Sequence, residues 1–219
     1  MIVDFATLAH QCAPTVSPTT LQALVKTESH FNPYAIGVVG GHLARQPRSA
    51  PEAVATVKAL DARGLNFSMG LGQVNKANLS AYHLTYENVF DACANLQAGG
   101  GILTDCYRRA SAQKGPGTGA LYAAFSCYYS GNFKRGFQKD FGGTSYVQRV
   151  AANAQDTHAS VDVVPAIPVV LDKPASRKAV VEKDRTSSNT TPAPSERTPA
   201  SSDGRASWDA FGDFSGSSK

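Results

Sequence analysis

Thr27-Glu28-Ser29-His30-Phe31-Asn32-Pro33-Tyr34 places a carboxylate at the end of a predicted helix, immediately before an Asn-Pro break. Working back from Glu28, Ser17 is a favoured N-cap and Pro18 a favoured first helical residue. Between Thr19 and Ser29 the apolar positions are Leu21, Leu24 and Val25. The next position on that face is Glu28, four residues after Leu24 and three after Val25. Charged side chains are seldom buried without a partner, and the last turn of a helix disfavours negative charge. Burial and dipole therefore both raise the proton affinity, as a general acid requires near neutral pH. The alternative at this point is a Glu paired with a Lys or Arg across the core.

The chain has 219 residues, of which 42% are hydrophobic, enough for one good-sized domain plus an extension. Its net charge is +4. Residues 1–157 carry 13 Lys+Arg against 9 Asp+Glu, whereas residues 158–219 carry 8 of each. So weak and dispersed an excess suits an anionic polymer and does not indicate nucleic acid. No stretch approaches the ~20 apolar residues of a transmembrane helix. Met1 to Gln11 lacks a basic start and an apolar run of useful length, so no export signal is legible there.

Along the chain, Ala35 to Gly41 reads as a short strand or loop broken by glycines. Ser49-Ala50-Pro51-Glu52 matches a capping box opening a helix to Ala62, with Gly64 as its stop. Leu65 to Asn75 mixes apolar residues with glycine, a strand or tight loop that another backbone or a ligand approaches closely. A long helix opens at Thr85 or Asp91 and reaches about Gln113, with Leu96, Leu103 and Tyr107 along one side. Gly99-Gly100-Gly101 inside it costs roughly 1 kcal/mol per residue against Ala and implies close helix packing. A further helix near Gly119 to Ser130 carries Leu121, Phe125 and Tyr128 on one face, and the last begins at Tyr146 and runs toward Gln155.

From about residue 158 the composition changes to Pro, Ser, Thr and charged residues, predicting a disordered or polyproline-like tail. The expected domains are thus 1–157 and 158–219. Near the end, Trp208, Phe211 and Phe214 recur at i, i+3 and i+6, an aromatic face suited to a partner's groove or an incidental cluster.

Cys12, Cys93, Cys106 and Cys127 form no CxxC or Cys/His ligand spacing, so no structural metal is expected. An even count allows two disulfides and an oxidising compartment. If Cys93 and Cys106 share the long helix they lie about 20 Å apart and cannot bridge. That leaves Cys12–Cys93 with Cys106–Cys127, Cys12–Cys106 with Cys93–Cys127, or four buried thiols.

Most glycosidases place two carboxylates across the scissile bond. No second acid stands near Glu28 at motif-like spacing. Asp61, Glu87 and Asp91 fit helix surfaces or caps better than a site. A lone acid implies that the substrate supplies its own nucleophile. His10, His30, His42 and His83 lack the companions of a catalytic triad, and His30 reads as a surface residue on the turn.

Three stretches in order carry a family resemblance. Glu28-Ser29-His30-Phe31-Asn32-Pro33 resembles the Glu-Ser-x-x-Asn-Pro motif of lytic transglycosylases related to goose-type lysozyme. Ser68-Met69-Gly70-Leu71-Gly72-Gln73-Val74-Asn75 resembles that family's Ser-x-Gly-Leu-Met-Gln-Ile, and Cys127-Tyr128-Tyr129-Ser130-Gly131 its Ala-Tyr-Asn-x-Gly. Asp91 to Gly99 and Tyr146 to Val150 fall where the family has a linking helix and a late Tyr-Val-x-x-Val. The likeness covers about residues 10–155, and the wording around Ala35 to Gly41 and Ser126 to Asn132 is most similar to transglycosylases of type IV secretion systems.

The resemblance implies a mainly α domain with a small β region (α+β), lysozyme-like, whose cleft binds peptidoglycan glycan strands in the periplasm. It implies Glu28 as the single acid and base, yielding a 1,6-anhydro product without water or cofactor. Ser68, Gln73 and Asn75 would orient Glu28 or the sugar amides, and Tyr128, Tyr129 and Tyr146 would line the cleft. For Ser68 and Asn75 the competing role is backbone capping, and for Tyr128 it is core packing. Gly72 stands where the family has Met, which predicts a wider or flatter cleft; Tyr129 stands where it has Asn and either stacks on a sugar or fills space. The rival functions are a muramidase using water and a non-catalytic peptidoglycan-binding module, with the tail recruiting secretion components.

Overall fold

The computed structural model describes residues 4–140 and 142–156. The tail from residue 158 and its aromatic cluster lie outside the described residues. Six helices run in the order α1 (Phe5–Cys12), α2 (Pro18–Ser29), α3 (Ala50–Ala62), α4 (Ala92–Lys114), α5 (Thr118–Ser130) and α6 (Tyr146–Asp156). Three short strands, β1 (Ile36–Val38), β2 (Phe67–Met69) and β3 (Val74–Asn75), form an antiparallel sheet in sequence order. This is the mainly α arrangement with a small β region expected from the sequence.

The local signals explain most boundaries. Asp91 caps α4 by accepting from the Ala94 amide at 2.8 Å, so the helix opens there and not at Thr85. Gly131 ends α5 in the left-handed conformation, φ 75°. Ser17 is the N-cap of α2, yet no side-chain capping bond forms, and Pro18 alone marks the start. The capping box of α3 is half made: Ser49 Oγ accepts from Glu52 N at 3.4 Å, whereas the Glu52 carboxylate turns to Arg48 N at 2.8 Å and to Arg45. Helix α1 is additional to the sequence reading. Asp4 starts it, accepting from Thr7 N at 3.0 Å and Thr7 Oγ1 at 2.8 Å.

Two apolar clusters result. In the first, Leu21, Leu24 and Val25 of α2 meet Leu96, Leu103, Leu121 and Phe125, with Val147 and Val150 of α6. Each such side chain contributes about 1.5–3 kcal/mol on burial. The second gathers Ile36, Phe67, Met69 and Val74 against Val57, Leu60, Val89 and Phe90. Helix α4 serves both, giving Leu96 and Leu103 to one and Ala98 to the other. The sheet pairs Gly37 with Ser68 and Ser68 with Asn75. Because strand side chains alternate, these three share the face opposite buried Phe67, Met69 and Val74.

The glycine triplet of α4 does serve close packing, but against loops and a ring in place of a second helix. A Cβ on Gly100 would lie 2.8 Å from Ala13 Cβ, and one on Gly101 would lie 2.6 Å from the Tyr82 ring. Gly99 faces Gly72 and the Tyr128 hydroxyl. Cys12–Cys93 ties the end of α1 to the start of α4, and Cys106–Cys127 ties α4 to α5. These are the first of the pairings left open by the sequence.

Candidate active site

Glu28 sits in the last turn of α2, held there by packing of that helix against α6. Asn153 Nδ2 donates to Thr27 Oγ1 at 2.9 Å, and Lys26 Nζ meets Asp156 at 3.2 Å. Tyr146, the first residue of α6, is buried and donates its hydroxyl to Glu28 Oε1. Glu28 keeps a partly exposed surface while protein crowds its carboxyl group. That desolvation lifts its pKa from 4.5 to about 7, against the opposing pull of the Tyr146 hydrogen bond and the Arg149 charge. Other carboxyl groups with clear shifts move down, among them Asp61 beside Lys76, Glu87 beside Lys58 and Asp140 beside Arg149.

Beyond the acid the chain turns sharply. His30 and Phe31 are both left-handed, at φ 51° and φ 62°, an uncommon conformation for side chains of that size. The turn exposes Phe31 and sets its ring edge-on to Phe5 at 5.3 Å. His30 is exposed, as the sequence suggests.

The tyrosines cluster on the acid. Tyr129 is 42% exposed and stacks on the Tyr146 ring at 4.6 Å, nearly parallel. It thus covers Tyr146 and still presents open ring surface. Arg149, paired with Asp140 at 2.6 and 2.9 Å, holds its guanidinium 5.9 Å from the Tyr146 ring centre. Tyr128 packs on the helical core and reaches outward, its hydroxyl donating to the Gly72 carbonyl. Burial, and then the Glu28 and Tyr82 charges, push the Tyr128 hydroxyl well above its ordinary value of 10.0, so it acts as a neutral donor.

Gly72 corrects a sequence expectation. A Cβ there would stand 3.0 Å from the Tyr128 hydroxyl, 3.4 Å from Asn95 Oδ1 and 3.7 Å from Gly99 Cα. Its missing side chain therefore leaves no widened cleft: Tyr128 and α4 occupy the space. Asn95, buried on α4, fixes the same turn through three bonds. It accepts from Gly72 N at 2.7 Å and donates to Met69 O at 3.0 Å and Val89 O at 2.8 Å. Gly70 must be glycine, with φ 76° and the Asn95 amide where a Cβ would project.

Gln73, also left-handed at φ 48°, spends both amide protons on backbone, bridging Ala35 O and Gly70 O at 3.0 Å each. Its Oε1 lies over Gly37, where a Cβ would come within 2.7 Å. Asn75 caps the following turn by accepting from Ala77 N at 3.1 Å, and it donates to Asn66 at 3.0 Å and Ser68 Oγ at 3.3 Å. The capping role weighed for Asn75 is thus present, whereas Ser68 bonds a side chain. The structure joins Glu28, Tyr146 and Tyr129 directly, while the Tyr128 hydroxyl reaches the carbonyl of Gly72, the residue before Gln73. No hydrogen bond of Ser68 or Asn75 to Glu28 is found among the described residues.

The candidate second acids are engaged elsewhere. Asp61 pairs with Lys76 at 3.0 Å, Glu87 with Lys58 at 2.8 Å, and Asp91 caps α4. Among the described residues no cluster of His, Cys, Asp or Glu is arranged to hold a metal, and no helix is long and apolar enough to cross a membrane. The arrangement offers one carboxyl group able to hold and accept a proton near neutral pH. Asn95 and Arg149 were missed by the sequence reading. Asn95 adjoins Leu96 on the buried side of α4, the same anomaly of a polar group on an apolar face that marks Glu28.

Comparison with known proteins gives a family. A family model described as "Transglycosylase SLT domain" matches residues 6–145. "Type IV secretion system protein virB1" of Brucella suis biovar 1 (strain 1330) is 54% identical over 83% of this chain and 77% of its own length. "Protein virB1" of Rhizobium radiobacter is 32% identical over 83% of this chain and 70% of its own length. "Protein virB1" of Agrobacterium fabrum (strain C58 / ATCC 33970) is 29% identical over 69% and 60%. No solved structure gives a significant match. The Glu28 carboxyl, the glycine-rich turn, Tyr128 and Tyr129 sit in the matched stretch, Tyr146 lies one residue beyond it, and the chain belongs to the transglycosylase SLT-domain family.

Proposed function

We propose that this lytic transglycosylase cleaves the β-1,4 bond between N-acetylmuramic acid and N-acetylglucosamine in peptidoglycan, leaving a 1,6-anhydro end. The reading rests above all on Glu28: its pKa of about 7, raised by burial, suits a group that must give a proton and then take one back. Protonated Glu28 donates to the glycosidic oxygen as the C1–O bond breaks. The resulting carboxylate then removes the proton from the C6 hydroxyl of the muramoyl residue, whose oxygen closes on C1. Glu28 ends protonated, and no water is consumed.

The neighbouring groups have distinct tasks in this scheme. Tyr146 orients the carboxyl and steadies its charged form between the two steps. The open face of Tyr129 is a stacking surface for a sugar ring, and Gln73 Oε1 is an acceptor for an acetamido N–H. Ser68 and Asn75 shape the sheet face along which the glycan lies, and Tyr128 holds the turn carrying Gln73. The catalytic domain spans residues 1–157 and the tail residues 158–219.

The names of the relatives support a place in type IV secretion, with local opening of the wall for the apparatus. Two disulfides suit the oxidising periplasm. Mass spectrometry of products from purified sacculi tests the chemistry. Anhydro ends are expected; reducing ends would make the enzyme a hydrolase, and undigested sacculi would leave a binding module.

A further inference from the structure

Outside the acid's surroundings, a shallow groove of about 300 Å³ lies among α5, the turn Arg135–Phe137 and α6. It is lined by Tyr122, Phe137, Ser145, Val147, Gln148 and Ala151. Phe137 is 47% exposed, a large apolar surface that no catalytic role explains. Lys134, Arg135 and Lys139, within three residues of Phe137 in the chain, are exposed. The groove is therefore an aromatic and aliphatic seat whose exposed Phe137 stands in a basic stretch of chain, the basic rim that an acidic occupant would meet.

We propose that its occupant is the C-terminal segment of the same chain, Ser207-Trp208-Asp209-Ala210-Phe211-Gly212-Asp213-Phe214. The segment supplies three aromatic anchors at helical spacing, and its Asp209 and Asp213 complement the basic rim. Tethering favours this occupant over a second copy. The groove is partly built from α6, which ends at Asp156, close beyond Ala151. The 50 residues 157–206 between them are ample chain length to return to a groove that begins so close to their origin. Such a tether holds its end at an effective concentration of about millimolar, so even a weak seat fills in cis. Ser145 and Val147 flank Tyr146, so a seated segment lies one residue from the donor that holds Glu28.

Trp208 is the single tryptophan of the chain, so its fluorescence reads the proposal in the intact protein. The native emission should be blue-shifted and several-fold less quenched by acrylamide than in urea, and should not change on serial dilution. Phe137→Ser should return both readings to those of an exposed indole with the circular dichroism unchanged. Asp209→Lys with Asp213→Lys, which cannot unfold the domain, should do so in part. Native emission already that of an exposed indole would overturn the proposal. So would a blue shift lost on dilution, which would mean a second copy's tail, or one indifferent to both sets of variants, which would mean another seat.

Discussion

The helical region of α1, α2, α4, α5 and α6 and the sheet region of β1–β3 and α3 are held together by different means. The helical region has the larger apolar cluster and both disulfides. The sheet region has strands of two or three residues, too short to be stable alone, and depends on side-chain amides. Gln46 closes the outer edge of β1 by bonding both Ile36 N and O, at 2.8 and 3.0 Å. Gln73 bridges Ala35 to Gly70, and Asn95 anchors the β2–β3 turn to α4. Glu28, Tyr128, Tyr129 and Tyr146 all come from the helical region, whereas Ser68, Gln73 and Asn75 come from the sheet region. In the proposed mechanism, proton transfer falls to the disulfide-tied region, and the glycan-facing polar surface to the region held by side-chain amides.

That contrast makes substitutions in the two regions fail differently. The largest loss should come from Glu28→Gln, which should lower cleavage of sacculi by roughly 10²- to 10⁴-fold with the circular dichroism unchanged. A variant with wild-type turnover would remove Glu28 from the mechanism. Next, replacing Cys12 and Cys93 by Ser should cost about 4–5 kcal/mol in urea unfolding, against about 3 kcal/mol for Cys106 and Cys127, because the first bridge closes the longer loop. Equal losses would show that chain entropy does not govern the helical region. Asn95→Ala leaves three buried backbone groups short of a partner, a cost of about 3 kcal/mol. It should raise KM for soluble glycan more than it lowers kcat, since it loosens the sheet region and spares the acid. A fall in kcat alone would erase the proposed division.

Two smaller effects concern pH. The folded pKa of Glu28, about 7, lies above its ordinary 4.5. The unfolded chain therefore loses this proton first, and the associated stability, complete below pH 4.5, is lost as pH rises through 7. Glu28→Gln removes that loss and should gain on the order of 2–3 kcal/mol relative to wild type between pH 4 and pH 8. No pH-dependent gain would mean that the carboxyl is better solvated than its surroundings imply. Tyr146→Phe removes a hydrogen bond that favours the charged form, so the alkaline limb of the rate profile should move to higher pH. A downward move would contradict the role given to Tyr146.

The sequence made Glu28 legible because two local rules conflict there: helical periodicity assigns it to the core, and burial rejects its charge. Most helix ends were legible for a similar reason, since Asp91, Gly64 and Gly131 act within a few residues of themselves. Helix α1 escaped because the Ser17-Pro18 signal was stronger than the Asp4–Thr7 cap. Gly72 was misread because the space beside it is filled from Tyr128, Asn95 and Gly99, all remote in sequence. Gln73 was found by its motif, but the use of its amide on Ala35 and Gly70 appears only when β1 and the β2–β3 turn meet. The positions of Arg149 and Asp140 around Tyr146 likewise depend on the fold of the loop before α6.

The Cys12–Cys93 bridge also determines what a cut in the chain would do. It closes a covalent ring that contains Glu28, Ser68, Gln73 and Asn75, while Tyr128, Tyr129 and Tyr146 lie outside it. One proteolytic nick at an exposed loop between them, such as the stretch around Gly40 and Gly41, would leave two peptides still joined through sulfur. Glu28 and the sheet would stay on one molecule until a reductant separated them. In an oxidising compartment that holds proteases, the enzyme would carry such damage as a silent scar, visible only on a reducing gel.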